Sequence, residues 1–193
     1  MALSKDSLTD GLIIAAGGGL GWWWYNAKTY KNMSVKEAQS VGIPSSEEGL
    51  IAGLDPRLQP VARKFVEAAN AAGYRIRLTQ GRRTIAEQNS LYAKGRTTAG
   101  PKVTNAPGGS SPHNFGMAID FAFLTPDGRL TSDKNGEYSW GNGRPWAEVA
   151  KFGKSLGLEW GGDWRKFKDR PHLEMPGWKE LMAQWKSGKL KVA

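Results

Sequence analysis

The sequence predicts a domain that mixes helices with short strands, and three stretches carry the prediction. From Ala118 to Phe123 the residues alternate, with Ala118, Asp120 and Ala122 on one face and Ile119, Phe121 and Phe123 on the other, the period-two pattern of a strand. Before it, Arg75 and Arg77 alternate with Ile76 and Leu78, as in a half-buried strand. Between residues 58 and 69, Leu58, Val61, Ala62, Phe65, Val66 and Ala69 recur at helical spacing. A chain of 193 residues has room for one domain with a substantial core and an appendage.

Taken in order, the chain opens with a segment unlike the rest. Residues 11–27 carry no charge and contain L-I-I-A-A-G-G-G-L-G-W-W-W-Y. Trp22, Trp23, Trp24 and Tyr25 suit a membrane interface, so membrane contact through 11–27 is one expectation and a packing or assembly segment the other. Asp6 and Asp10 outweigh Lys5, which argues against a cleaved signal. Lys28, Lys31 and Lys36 follow the segment and disfavour a simple export anchor, because basic residues hold their side of a span in the cytoplasm. From Ser34 to Gly53 the chain reads as a linker and a short helix, punctuated by Pro44, Ser45 and Ser46.

The next helix is expected to start with Asp55 as cap and Pro56 in first position, and to end at Gly73. After the Tyr74 to Thr79 strand, Thr84 and Glu87 form a capping box for a helix reaching about Lys94, with Gly95 at its end. The central strand follows, then a long loop over 125–142 with a turn at Pro126-Asp127-Gly128. Pro145 opens a helix that buries Trp146, Val149, Ala150 and Phe152, with Gly157 after it. Pro171 argues against helix, so His172 begins an extended segment in which Leu173 and Met175 face the core while His172 and Glu174 share the other face. Residues 178–185 read as a last helix before a basic tail.

Composition excludes several chemistries. With no cysteine there is no disulfide framework, thiolate metal site or cysteine nucleophile. A net charge of +9 favours an anionic partner. Nucleic acid is not expected, because the basic residues are dispersed and no helix-turn-helix, zinc-finger or arginine-arm signature is present. A bacterial wall remains compatible with the charge, as does solubility alone.

Histidine is rare, and both copies sit beside acids. His113 lies in S-S-P-H-N-F-G-M-A-I-D-F and His172 in K-D-R-P-H-L-E-M. Seven residues separate His113 from Asp120; along a helix that is about 10 Å, too far to share an ion, but a turn at Gly116 can fold His113 back over the strand. Two histidines and an aspartate on strand and loop match a zinc ligand set that leaves one position open; the alternative is polar residues satisfied at strand ends. A carboxylate must then accept the proton of the attacking water, and Asp169, three residues before His172, is the nearest candidate, with Glu159, Asp163 and Glu174 as rivals. Arg82 and Arg83 follow the first strand and could stabilise an oxyanion or hold a substrate carboxylate.

The run K-V-T-N-A-P-G-G-S-S-P-H-N-F-G-M-A-I-D-F, with G-R-R-T-I-A-E-Q-N-S-L-Y-A-K-G-R-T before it and E-W-G-G-D-W and D-R-P-H-L-E after it, resembles the zinc peptidases of peptidoglycan. These are the D-alanyl-D-alanine carboxypeptidases and the L-alanyl-D-glutamate endopeptidases of phage endolysins. The resemblance extends from about Leu54 to Glu174. It implies a small α+β fold, with flanking helices and a central antiparallel sheet that carries the zinc. Residues 36–193 are then the peptidase domain and 1–35 an N-terminal, tryptophan-rich appendage that nothing in the family matches.

By the same resemblance His113, Asp120 and His172 are the zinc (Zn2+) ligands and Asp169 the catalytic base. Arg83 and Ser111 hold a carboxylate or carbonyl oxygen of the substrate, and Gln88 supports the site. Ser111 could instead cap its turn and Gln88 could be purely structural. Where the family has an aromatic residue between Gly81 and Arg83 this chain has Arg82, which leaves open which arginine faces the site.

The function implied is hydrolysis of peptidoglycan stem peptides between L-alanine and a D-amino acid by a phage or prophage lytic enzyme. Such an enzyme acts on the wall from the periplasm or the exterior, as a monomer unless the appendage mediates assembly. A D-alanyl-D-alanine carboxypeptidase is the alternative within enzymes. A non-catalytic wall-binding or virion module with structural zinc is the alternative outside them.

Overall fold

The fold is that of a computed structural model describing residues 45–126, 128, 130 and 143–192. The expected appendage over 1–35, the linker as far as Pro44 and most of the loop over 125–142 lie outside the described residues. Of that loop, the turn is seen in the bond from the Gly128 N–H to the Thr125 carbonyl, 2.9 Å.

Among the described residues the elements run α1 (Ser45–Ala52), α2 (Gln59–Ala71), β1 (Ile76–Gln80), α3 (Ile85–Ala93), a 3-10 turn (Pro112–Phe115), β2 (Ala118–Phe123), α4 (Trp146–Ser155), β3 (Glu159–Trp160), a second 3-10 turn (Gly161–Asp163), β4 (His172–Glu174) and α5 (Trp178–Lys186). The strands form one antiparallel sheet in the order β1-β2-β4-β3. The domain is therefore α+β, with the longest strand, β2, hydrogen-bonded on both sides.

Alternation along β2 divides the sheet into two faces. Ile119, Phe121 and Phe123 join Leu173 of β4 and Ile76 and Leu78 of β1 in the core. The α2 stripe and the buried face of α4 cover them: Phe65 meets Phe121 edge-on with ring centres 5.2 Å apart, and Trp146 meets Phe123 at 4.8 Å. Each fully buried side chain of this size contributes about 1.5–3 kcal/mol, so this apolar face fixes the register of the sheet. The register then determines what stands opposite what on the other face. Asp120 pairs directly with His172 across β2–β4 and with Gln80 across β1–β2, the latter through an irregularity between Leu78 and Gln80.

The start of the second helix and the bounds of β1, expected from Tyr74 to Thr79 but found at Ile76–Gln80, differ from the sequence expectation, and one short strand is additional. The second helix starts at Gln59 with Pro60 in its first turn, and Asp55 does not cap it. Asp55 closes the preceding turn instead, accepting from the Arg57 backbone N–H at 3.0 Å and pairing with its guanidinium at 2.8 Å. Either proline satisfies the first-turn rule, and the Asp55–Arg57 interaction decides between them. The stretch E-W-G-G-D-W also supplies the two-residue edge strand β3. The capping box of α3 is present as expected, with the Glu87 N–H donating to Thr84 Oγ1 at 3.1 Å and the Thr84 N–H to Glu87 Oε2 at 2.8 Å.

One feature of α1 carries no sequence signature. Glu47 and Glu48 are both buried. Glu48 receives the Arg63 guanidinium of α2, with Nε to Oε2 at 2.9 Å, and Glu47 Oε1 accepts the Leu78 N–H of edge strand β1 at 2.5 Å. The second Glu47 oxygen is buried without a partner, and burial pushes this carboxyl up to about 7.

Candidate active site

Gly116 builds the first half of the site. It ends the 3-10 turn in a left-handed conformation, φ 67°, and a Cβ there would lie 2.7 Å from the Asp55 nitrogen, so only glycine fits. The turn folds His113 back over β2, as the spacing to Asp120 requires. Two further ties hold it: the Arg83 N–H donates to the His113 carbonyl at 2.9 Å, and buried Asn114 donates to the Arg83 carbonyl at 3.0 Å.

The donor atoms of His113, Asp120 and His172 converge. His113 Nε2 lies 3.3 Å from His172 Nδ1 and 3.4 Å from Asp120 Oδ1, and His172 Nδ1 lies 3.1 Å from the same oxygen. What faces inward is set by the far side of each ring. His113 Nδ1 is 2.7 Å from the Gly81 carbonyl, an acceptor only, and His172 Nε2 is 2.9 Å from the Glu174 carboxylate. Both of those nitrogens must donate, which leaves the lone pairs of His113 Nε2 and His172 Nδ1 aimed at each other and at a carboxylate oxygen.

Three such groups at these separations need a positive charge among them, either a proton on His172 or a metal cation. Tetrahedral ligands about 2.0–2.1 Å from a divalent ion stand about 3.3 Å apart, which agrees with the three separations. The residues present therefore fit a metal ion, and His113, Asp120 and His172 form the candidate metal site among the described residues. Outer hydrogen bonds from Gly81 and Glu174 are what such a site needs to fix the rings.

Electrostatics follow the same geometry. Burial alone would raise Asp120, but the two imidazoles outweigh it and hold this carboxyl well below the usual range. Burial alone would depress His172, whereas its hydrogen bonds to Asp120 and Glu174 push it up to about 10; a bound cation would replace that proton. Asp169 behaves oppositely, since burial and the negative charge of Asp120 raise its carboxyl despite the nearby histidines and Arg83.

A cleft of about 640 Å³ opens over the three donors, and its lining includes Arg83, Ser111, Trp164, Asp169, Glu174 and Trp178. Among the described residues the exposed large apolar side chains are Val103 and Phe167, and both line this cleft.

The structure brings nearly all the predicted site residues to one place. Arg83 points inward, with Nη2 4.0 Å from Asp120 Oδ2, while Arg82 is exposed; that resolves which arginine faces the site. Buried Gln88 accepts from Arg83 Nη1 at 2.6 Å and donates to the Ala106 carbonyl at 2.8 Å, so it steadies the arginine rather than lining the cleft. Ser111 lines the cleft, and its side chain makes no capping hydrogen bond.

Of the rival bases, Glu159 is exposed on β3 and Asp163 is exposed and paired with Lys154 at 2.5 Å. Glu174 is held by His172 and by the Trp178 indole N–H at 3.1 Å. Its position two residues after His172, on the same strand face, was the one signal in the sequence for that orienting role. The Gly81 carbonyl and Asn114 gave none.

Two histidines and one carboxylate, presented by an antiparallel sheet and the 3-10 turn beside it, converge beneath an open cleft that an acid also lines, the arrangement of a metallopeptidase type of centre. A family profile described as D-alanyl-D-alanine carboxypeptidase matches residues 104–175. The peptidoglycan L-alanyl-D-glutamate endopeptidase CwlK of Bacillus subtilis (strain 168) is 44% identical over 122 residues, covering 61% of this chain and 73% of that protein. The L-alanyl-D-glutamate peptidase of Listeria phage A118 is 33% identical over 117 residues, 58% of this chain but only 34% of that protein. The crystal structure of the Serratia marcescens L-Ala D-Glu endopeptidase ChiX aligns with a TM-score of 0.47 at 20% identity, over 75% of this chain and 90% of that one. The chain belongs to the family of peptidoglycan peptidases of the D-alanyl-D-alanine carboxypeptidase and L-alanyl-D-glutamate endopeptidase type, and it is a hydrolase.

Proposed function

We propose that this protein is a zinc endopeptidase that cuts peptidoglycan stem peptides between L-alanine and D-glutamate. The observation that carries the reading is the convergence of Asp120 with two imidazoles, the rings fixed from behind by Gly81 and Glu174, under a cleft that also holds the carboxylate of Asp169. The choice of bond rests on the 44% identity to the Bacillus endopeptidase. A lytic role for a phage or prophage is supported by the likeness to the phage peptidase, and the net charge of +9 would concentrate the enzyme on an anionic wall.

In this reading His113 Nε2, His172 Nδ1 and Asp120 hold zinc. Zinc bound there supplies Lewis-acid activation of water and of the scissile carbonyl. Asp169, its carboxyl raised by burial and by the charge of Asp120, accepts the proton of the attacking water and passes it to the leaving amine. Arg83, braced by Gln88, donates to the oxygen on which charge develops or to a substrate carboxylate. Ser111 offers a hydroxyl to the same substrate. Trp164, whose ring centre is 5.1 Å from that of His172, walls the site and limits water.

Digestion of purified peptidoglycan, with mass spectrometry of the fragments, tests the proposal. New N-terminal D-glutamate ends, lost on chelation, are expected. Release of D-alanine alone would reassign the enzyme as a carboxypeptidase, and an undigested wall despite one bound zinc per chain would overturn the enzymatic reading. No helix among the described residues is long and apolar enough to cross a membrane; residues 11–27, for which membrane contact and a packing or assembly role were the two expectations, lie outside them. We propose that this segment holds the enzyme at a membrane or an assembly, to be checked by detergent partitioning of the whole chain.

A further inference from the structure

Helix α5 is attached to the domain in an unusual way. None of its residues is fully buried, and it contributes nothing to the main apolar core. Its contacts go instead to the two elements that carry the histidines. At its start, the Trp178 indole N–H donates to Glu174 Oε1 at 3.1 Å, while the other oxygen of that carboxylate faces His172 Nε2 at 2.9 Å. The Trp178 ring also stacks on Phe115, with centres 6.5 Å apart and planes 25° apart, and Phe115 is two residues from His113 in the 3-10 turn. About two turns further on, Trp185 meets Phe115 edge-on and lies so close to Gly109 that a Cβ there would collide with its ring. The Gly109 N–H in turn donates to Asn114 Oδ1 at 2.9 Å.

From this geometry we infer that α5 is part of the metal centre, with Trp178 a positioning residue that acts on His172 through Glu174. A free glutamate side chain has several rotamers, and only some present an oxygen to His172 Nε2. The indole N–H removes that freedom by fixing the opposite oxygen, so the imidazole keeps its Nδ1 lone pair on the metal position. The aromatic contacts with Phe115 hold the His113 turn against the same helix. Both histidines are thereby referred to one surface element, which lies beyond the segment matched by the family profile, 104–175. The inference rests on the reading of His113, Asp120 and His172 as metal ligands.

The test uses the full chain and zinc, with affinity read by competition against a chromophoric chelator. Trp178→Phe leaves an aromatic ring to face Phe115 and removes the N–H together with one ring of the indole. Its zinc affinity is expected to fall about three- to tenfold, against about 10–100-fold for Glu174→Ala. In a Glu174→Ala background Trp178→Phe is expected to have no further effect, because the path to His172 is already cut. Glu174→Gln, which retains an acceptor for His172, should recover part of the loss and serves if Trp178→Phe fails to fold. Unchanged affinity in Trp178→Phe, or losses that add in the double variant, would overturn the inference. Failure of the wild type to bind zinc would instead remove the metal reading beneath it.

Discussion

Two groups of buried or half-buried acids stand at different parts of the same sheet, and they do different work. Glu47 and Glu48 reach it from α1 at the edge strand β1, while Asp120, Asp169 and Glu174 surround its middle. In the first group the partners are internal and the surroundings closed: Glu48 has the Arg63 guanidinium and Glu47 a backbone N–H. In the second, Asp120 and two imidazoles turn lone pairs toward a common point, and a cleft of about 640 Å³ opens above it. A buried acid alone is therefore no mark of a catalytic site. Convergence of several groups able to ligate one metal ion, next to space for a substrate, is.

Exchanging the two groups' roles by mutation gives the widest contrast. Asp169→Ala should lower the rate of peptidoglycan digestion by about 10²–10⁴-fold while zinc content and melting temperature stay near those of the wild type. Arg63→Ala should do the reverse. It strands Glu48 in the interior, costs about 3–5 kcal/mol in urea denaturation and leaves the specific activity of the folded fraction intact.

Glu47 sharpens the comparison through pH. Its carboxyl is raised from 4.5 to about 7 in the native state, so the folded protein holds that proton where the unfolded chain has lost it. Its contribution is complete below about pH 4.5 and declines as pH rises through 7. At about 1.4 kcal/mol per pKa unit the loss between pH 4 and pH 8 is on the order of 3 kcal/mol. Glu47→Gln should remove that component of the slope, so that the stability difference between wild type and variant changes with pH. A constant difference across pH 4, 6 and 8 would contradict the burial argument. The smallest effect concerns the capping box that starts α3. Thr84→Ala should cost about 1 kcal/mol in thermal unfolding and leave zinc affinity unchanged.

The elements around the site were legible because each has a local cause. Alternation in β2, the Thr84–Glu87 box and the prolines and glycines at helix ends act within a few residues, and the rarity of histidine singled out His113 and His172. What the sequence concealed depends on distant partners. An acidic helix start such as that of α1 reads as solvent-exposed until Arg63, fifteen residues away, and the Leu78 N–H are known to face it. The Gly81 carbonyl that fixes the His113 tautomer has no side chain to read. Pro56 and Pro60 satisfy the same helix-start rule, and only the Asp55–Arg57 pairing separates them. Strand β3 is two residues long, below any periodicity. Arg82 and Arg83 are equivalent in sequence; which one turns inward is decided by Gln88 and Asp120.

Calorimetric titration of zinc into the metal-free chain, run beside His172→Ala, bears most directly on the metal centre. One ion bound per wild-type chain, with binding abolished or strongly weakened in the variant, is the predicted result. A wild-type chain that takes up no zinc, or a His172→Ala chain that binds it equally well, would contradict the assignment.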